Sequence, residues 1–399
     1  MLLRRSKLWL TIGAMVALGS MSAQAQVPDM QYFAPANSGT FGGGARANEG
    51  FFISGEYLRW SISKPDAASV GVAPPASRTV YYDTDVFREQ TSTADNTWIG
   101  SRFTDGSRVE AGFMEDHQGL MFSGFFMSTY GRVQKLPNAD MVFDDPEFGP
   151  PPFRRLLQGF VDDALTDIQN LPVTFTAPVV LDDNDNPLPT WGLVMDNVVK
   201  TWNTELNYVY RFHPTRHGTF WEIYLGVRYF EFNEEFNVDA FGGILADSFW
   251  YTRATNHVVG PQAGIRFFRT FDRWTFESTA KFFAGFNFQN YNQYGVLGSQ
   301  LDPLAGPQED VPLYMGPTSF TNSATEEEWS PSAELRVAIK YNVTRSMALS
   351  VGWTGMWMDG IGRASNAVVY RVPNMGITLD RNNQDLFING VTAGVEFNR

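Results

Sequence analysis

Apolar and polar residues alternate with a period of two along ten stretches of the chain. The clearest runs from Ala333 to Val343. There Ala333, Leu335, Val337, Ile339, Tyr341 and Val343 stand against Glu334, Arg336, Lys340 and Asn342. After Thr344 and Arg345 the alternation resumes at Met347, Leu349, Val351 and Trp353. One greasy and one charged face at this period predict a β-hairpin. The same alternation marks Ser107–Met114, Thr201–Phe212, Phe220–Phe230, Val258–Phe268 and Trp274–Gln289. Phe51–Trp60 and Asp385–Arg399 extend the series, although Glu56 and Arg59 fall on opposite faces of the former. Leu120–Tyr130 is apolar on both faces.

A greasy face covers either a protein core or lipid, and two regularities favour lipid. The runs are about nine to fifteen residues, against a mode of about 5–6 in globular sheets, and a tilted strand crosses a bilayer in about 9–11. Short turns (EDHQG, HPTRHG, around RTFD, around TR) also alternate with long segments at 61–106, 131–200, 233–256, 289–330 and 359–384. That alternation is the habit of transmembrane barrels, with short periplasmic turns and long extracellular loops. The expected fold is an all-β, antiparallel, up-and-down transmembrane barrel of about ten strands (twelve being the alternative), with both ends of residues 51–399 on the short-turn side. Trp60, Tyr130, Trp202, Trp221, Trp274, Trp353 and Trp357 lie near strand ends, as interfacial girdles do.

The N-terminus changes the picture from sheet to exported protein. Arg4, Arg5 and Lys7 precede the apolar Leu8–Met21, and Ala23-Gln24-Ala25 is a small-residue cleavage site, so residues 1–25 read as a signal peptide. Loss of those three cations from a chain of net charge −13 leaves −16. Residues 26–50, rich in Gly, Ser and Ala, read as a flexible leader. Acidic residues outnumber basic ones 43 to 30 and no basic stripe appears, which argues against nucleic acid as a partner. With no cysteine there is no disulfide framework, lipoprotein attachment or thiolate metal site. Beyond the signal no segment has the length of a transmembrane helix, so a membrane location requires a barrel.

Several blocks resemble the β-barrel porin-7 family, bacterial outer-membrane proteins of planctomycete type. Ser54–Trp60 (SGEYLRW) is similar to the family's opening strand. GLMFSGFFM, FWEIYLGVRYFEF, NHVVGPQAGIRFF, WTFESTAKFFAGFNFQN and the closing GVTAGVEFNR follow in the family's order. The resemblance spans about residue 51 to 399 and implies an outer-membrane barrel without catalytic residues. It departs at the end, where Asn398 and Arg399 follow Phe397 instead of the aromatic terminus that barrel assembly machinery reads.

The candidate chemistry lies in the charged faces. Glu205, Arg211, Glu222, Arg228, Arg266, Glu277, Lys281, Glu334, Arg336 and Lys340, with Glu110, point to the lumen, where they either pair into a lattice or line a conduit for small polar solutes. The twin segments Gly226–Phe230 and Gly264–Phe268 put Gly beside an inward Arg, where bare backbone accommodates the long side chain. Leu181–Pro187 has calcium-loop spacing but lacks the Gly and Glu of an EF-hand and reads as a polar turn. Glu326, Glu327 and Glu328 read as a solvated loop face. Arg154–Asn170 has helical spacing and reads as a surface helix or a segment folded into the barrel mouth. Of His117, His213, His217 and His257, only the last lies near an outer strand end, with Asp247 in the preceding segment, and no catalytic motif accompanies it. The expectation is a non-enzymatic porin-like passive channel or structural envelope component, with no cofactor or metal. Its partners are outer-membrane lipid and, during biogenesis, the assembly machinery. A secreted soluble β-sandwich or adhesin-like module is the competing class, and an outer-membrane hydrolase a remote one. Oligomeric state is not readable.

Overall fold

A computed structural model describes residues 50–72, 80–81, 87–88, 92–144, 154–158, 191–215, 219–243, 247–300, 316–344, 346–380 and 382–398. The signal peptide, residues 26–49 of the leader, the Leu181–Pro187 turn, His217 and Arg345 lie outside them. Ten long strands form a closed barrel. In chain order they are β1 (Gly50–Ile62), β2 (Arg102–Glu115), β3 (Gln118–Pro137), β4 (Trp191–Arg211), β5 (Thr219–Gly242), β6 (Ser248–Phe271), β7 (Trp274–Leu297), β8 (Thr318–Asn342), β9 (Met347–Ile361) and β10 (Gln384–Asn398). Each pairs antiparallel with the next, and β1 closes on β10 from Phe52↔Asn398 to Ile62↔Ile388. The ten-strand meander is therefore as the alternation predicts.

The short turns are tight. Asp116 and Asp272 take positive φ values of 50° and 54° at the β2–β3 and β6–β7 turns. Such two-residue turns twist with their strands, and Asp is among the few residues that tolerate that conformation. All five short connections and closures gather at one end of the barrel.

The outer face near that end is apolar. On β5 it presents Trp221, Ile223, Leu225, Val227 and Tyr229, on β7 Trp274, Phe276 and Phe282, and on β8 Leu335 and Ile339. Leu225, Phe282 and Ile339 are 55%, 53% and 50% exposed to the outside. Aromatic pairs bound the band: Trp221–Phe267 (5.1 Å) and Trp274–Tyr341 (4.8 Å) below, Trp202–Tyr229 (5.1 Å) above. From Trp221 to Tyr229 the band spans eight residue steps, about 27 Å along the strand and about 20 Å along the barrel axis at the usual tilt, close to the height of an outer-membrane barrel's apolar band.

Above the band the pattern inverts. On β5 the outward positions become Glu231, Asn233, Glu235, Asn237 and Asp239, while Phe230, Phe232, Phe236 and Val238 turn inward and are fully buried. The wall thus continues about 30 Å past the band as an ordinary soluble sheet closed on an apolar core. This corrects the expected loops. Segments 233–256 and 289–330 are largely strand, and the connections that remain are 63–101, 138–190, 243–247, 298–317 and 362–383. Glu326, Glu327 and Glu328 belong to β8, with Asn383 donating to Glu328 at 3.0 Å, and are not a loop face. Arg154–Gln158 is a strand paired with Met141–Asp144, not the start of a helix, because ladder hydrogen bonds override a local helical period; the remainder of 154–170 is outside the described residues. Trp60 and Tyr130 are not girdle residues. Trp60 is 1% exposed and packs edge-on against Phe125 (5.1 Å), and Tyr130 packs against the same interior cluster.

Candidate functional site

The inward faces fill the barrel in layers. At the short-turn end Phe52, Met114, Met121, Val209 and Tyr224 cluster. Beside and above them lie all eleven lumenal charges expected from the sequence, each buried or nearly so, joined by Glu56, Arg108 and Glu396. The geometry orders them into two chains of alternating sign and one separate pair. In the first, Arg211 reaches Glu222 (2.7 Å), which also binds Arg266 (Nε, 2.7 Å). Arg266 faces Glu277 (3.9 Å), Glu277 binds Lys340 (2.8 Å), and Lys340 binds Glu396 (2.6 Å). The second begins with Glu110–Arg336 (2.8 Å) and passes to Glu56, which Arg336 also contacts. It continues to Arg108 (3.8 Å), Glu334 (3.5 Å) and Arg228 (2.8 Å). Lys281–Glu205 (2.8 Å) stands apart, with Gln262 also donating to Glu205 at 2.6 Å.

These fourteen groups comprise seven carboxylates and seven cations, so the lattice is neutral. Neutrality matters because an unpaired ion in this interior would cost several kcal/mol. Glu334 on β8 meets Arg228 on β5, and Lys281 on β7 meets Glu205 on β4, so the bridges span the lumen and do more than link neighbouring strands. The cavity inside the lattice, lined by Glu110, Arg266, Glu277, Lys281, Glu334 and Arg336 among others, holds about 10 Å³. That is the space of a single water.

An apolar layer seals the lattice from above. Leu58, Trp60, Phe125, Phe230, Phe283, Met356, Met358 and Leu386 meet across the lumen. The layer also grips the charges beneath it: Arg108 lies 4.9 Å over the Trp60 ring, and Arg228 donates to Met356 Sδ at 3.1 Å.

Over this layer the segment after β9 folds inward. Asn256 both donates to Gly362 O and accepts from Gly362 N (2.8 Å each), while Asn287 donates to Gly360 O (2.7 Å). Buried Glu234 accepts from Ala364 N (2.9 Å) and Asn197 (2.8 Å) and faces buried Arg363 at 3.8 Å. Arg363 in turn donates to Ser63 O at 2.9 Å. Tyr370 then completes a triangle of rings with Trp250 and Phe143 (6.0, 5.9 and 6.3 Å), closing the mouth. Burial pushes the Tyr370 hydroxyl pKa up, as expected for a phenol in this dry cap. Among the described residues, the segment that plugs the mouth is 362–380.

Glu56 escapes sequence reading because Arg59 on the same strand points the other way; Arg59 binds Asp105 on the outer wall. Glu396 escapes because its partner Lys340 lies 56 residues earlier. Parity supplies the missing signal: both carboxylates align with inward charges on neighbouring strands. His257 does not face the lumen. It sits on the outer wall with Tyr229 (2.7 Å) and Glu231 (3.6 Å), whereas Asp247 binds Gly242 N and Gln300.

A closed antiparallel barrel with an apolar, aromatic-bounded outer band and a polar interior is an outer-membrane β-barrel protein. The family model described as "Putative beta barrel porin-7 (BBP7)" matches residues 190–398, and the chain belongs to that family. Among solved structures the chain is similar to the outer membrane protease OmpT from Escherichia coli. The identity is 10% and the TM-score 0.40, covering 88% of this chain and 97% of that one. It is also similar to the CymD monoaromatic hydrocarbon channel (7% identity, TM-score 0.24, 88% and 89% covered). An anion-selective porin from Comamonas acidovorans is another likeness (9%, 0.16, 87% and 98%). No curated protein matches the sequence. These structural likenesses carry no inference about activity or substrate.

Proposed function

We propose that the protein is a closed, non-enzymatic structural component of the outer membrane and not a passive diffusion channel. The observation behind this reading is the neutral ion lattice, whose residual cavity of about 10 Å³ leaves no path for a solute. The apolar layer above it and the docked 362–380 segment obstruct the same axis twice more. The non-enzymatic part is supported by the porin description of the family and by His257, which stands on the outer wall with Tyr229 and Glu231 and not in the lumen. On this reading residues 1–25 direct export and are removed, the short turns face the periplasm, and the assembly machinery inserts the barrel. N-terminal sequencing of protein from outer membranes should begin at Gln26.

The test is conductance of the refolded full-length protein in planar bilayers. Flat traces under applied voltage are expected. Discrete, reproducible current steps would overturn the closed-barrel reading in favour of the channel that the family description suggests.

A further inference from the structure

The barrel wall opens along a seam between β2 and β3. β2 and β3 pair only from Gly106↔Met127 to Glu115↔Gln118. Beyond that β2 stays with β1 up to Arg102↔Ile62, while β3 follows β4 up to Pro137↔Gly192. The divergence begins at the irregularity between Met127 and Tyr130, where the register against Val199 and Thr201 shifts. A bulge of this kind bends its strand away from the old partner. The two strands therefore part just above the exposed ring of Phe126, at the upper edge of the lipid-facing band, and the exposed ring of Phe103 lies on the diverged part of β2.

A groove of about 460 Å³ occupies the seam, lined by Trp98, Arg102, Gly131, Arg132, Val133 and Gln134. Ligand sites commonly fall between about 300 and 1,000 Å³. The lining holds two guanidiniums and no carboxylate, in a chain whose net charge is −13. Arg132 donates to Trp98 O at 2.9 Å, which fixes its guanidinium with donors to spare. Arg102 has no carboxylate partner among the described residues. The Trp98 indole Nε1, an obligate donor, is buried with no acceptor. Two neighbouring acids are committed elsewhere or held back. Asp105 binds Arg59 and Tyr57, and Asp196, beside Val133, has its carboxyl pKa raised by burial and by Glu235 and Asp239.

We infer that this groove is an anion site for a phosphate group. Two guanidiniums present the forked donors that match phosphate oxygens. The groove opens on the extramembrane wall above the hydrocarbon band, since Arg132 pairs with Asn197 and Asn197 with Phe236, seven residues past Tyr229. Phosphate carried on an outer-leaflet lipid that projects beyond the hydrocarbon can reach it there. A soluble phosphate would satisfy the same donors, and the experiment separates the two sources. The site lies outside the lumen and does not depend on whether the barrel conducts.

The test uses the refolded full-length protein and three probes. These are phosphatidylcholine vesicles doped with bis-phosphorylated lipid A, the same vesicles doped with dephosphorylated lipid A, and sodium phosphate alone. Wild type and Arg102→Gln are compared at low salt, where charge attraction is least screened. Arg102 is exposed, so its substitution leaves the wall intact, and a heat-shifted gel band verifies folding. Preference for phosphorylated over dephosphorylated lipid A, weakened about tenfold by Arg102→Gln, is the expected result and assigns the lipid source. Binding of sodium phosphate alone, weakened to the same extent, supports the site with a soluble source. Binding indifferent to Arg102→Gln, or no phosphate-dependent binding at all, overturns the inference.

Discussion

Lys281 and Glu205 offer a measurement of how dry the lumen is. Their side chains are 7% and 3% exposed, with Nζ and Oε2 2.8 Å apart, and they join β7 to β4 across the interior. At that separation unit charges attract by about 6 kcal/mol at an effective dielectric near 20, but only about 1.5 kcal/mol in water. Desolvation offsets much of the larger figure in the intact pair, yet a single substitution leaves the partner buried and charged. Lys281→Met leaves the Glu205 carboxylate without its ion-pair partner, held by the Gln262 and Asn207 amides and the more distant Arg228. Glu205→Gln leaves the Lys281 ammonium with only the longer-range field of Glu334 and Glu110. Each single change is expected to cost about 3–5 kcal/mol, whereas the double variant removes both charges and should cost far less than the sum. The coupling energy should exceed about 2 kcal/mol. It is read from urea unfolding of barrels refolded into vesicles, followed by tryptophan emission. A coupling below about 1 kcal/mol, the range of solvent-exposed bridges, would mean that water reaches the pair. The dry-lattice reasoning would then fail, whatever the conductance traces showed.

Other perturbations probe other layers. Ile339→Arg, on the outward band at 50% exposure, should destabilise the barrel by about 2–4 kcal/mol and deplete the heat-shifted gel band, whereas Ile339→Val should not. Glu234→Gln weakens the hold on Arg363 and Ala364. It should open segment 362–380 to limited proteolysis while leaving the barrel strands protected, and an unchanged cleavage pattern would remove Glu234 from that role. Asp196 has a raised pKa through burial and the neighbouring Glu235 and Asp239. Its folded form holds the proton more tightly than the unfolded chain, so stability falls as pH rises from the ordinary carboxylate value of about 4 through the raised one. Asp196→Asn should therefore raise the unfolding midpoint at neutral pH, and the gain should vanish below about pH 4. A gain that persists in acid would point to a cause other than ionisation.

The membrane-embedded half of the barrel was legible because lipid imposes the strictest pattern. Every outward residue from Trp221 to Tyr229 on β5 is apolar, and every second residue between them faces the lumen. The extramembrane wall was not legible because its solvent exchanges sides. Past Tyr229 the apolar positions shift parity to Phe230, Phe232, Phe236 and Val238, and a reader tracking one greasy face sees the strand end. The charges of the lattice were visible as types, and their alternation in sign hinted at pairing. Their connectivity was not visible, since Arg336 and Glu56 are 280 residues apart in the chain. The inward plug left even less trace. Asn256, Asn287 and Gln289 are generic polar residues until the segment around Gly360 and Gly362 is laid against them.

Both ion chains reach the strands that close the barrel. Glu56 lies on β1 and Glu396 on β10, and these strands form the edge-to-edge closure. Joining the sheet and cancelling its internal charge are consequently one event in time. A nine-strand intermediate has two open edges and a set of uncompensated ions, and hydrocarbon rejects it on both counts.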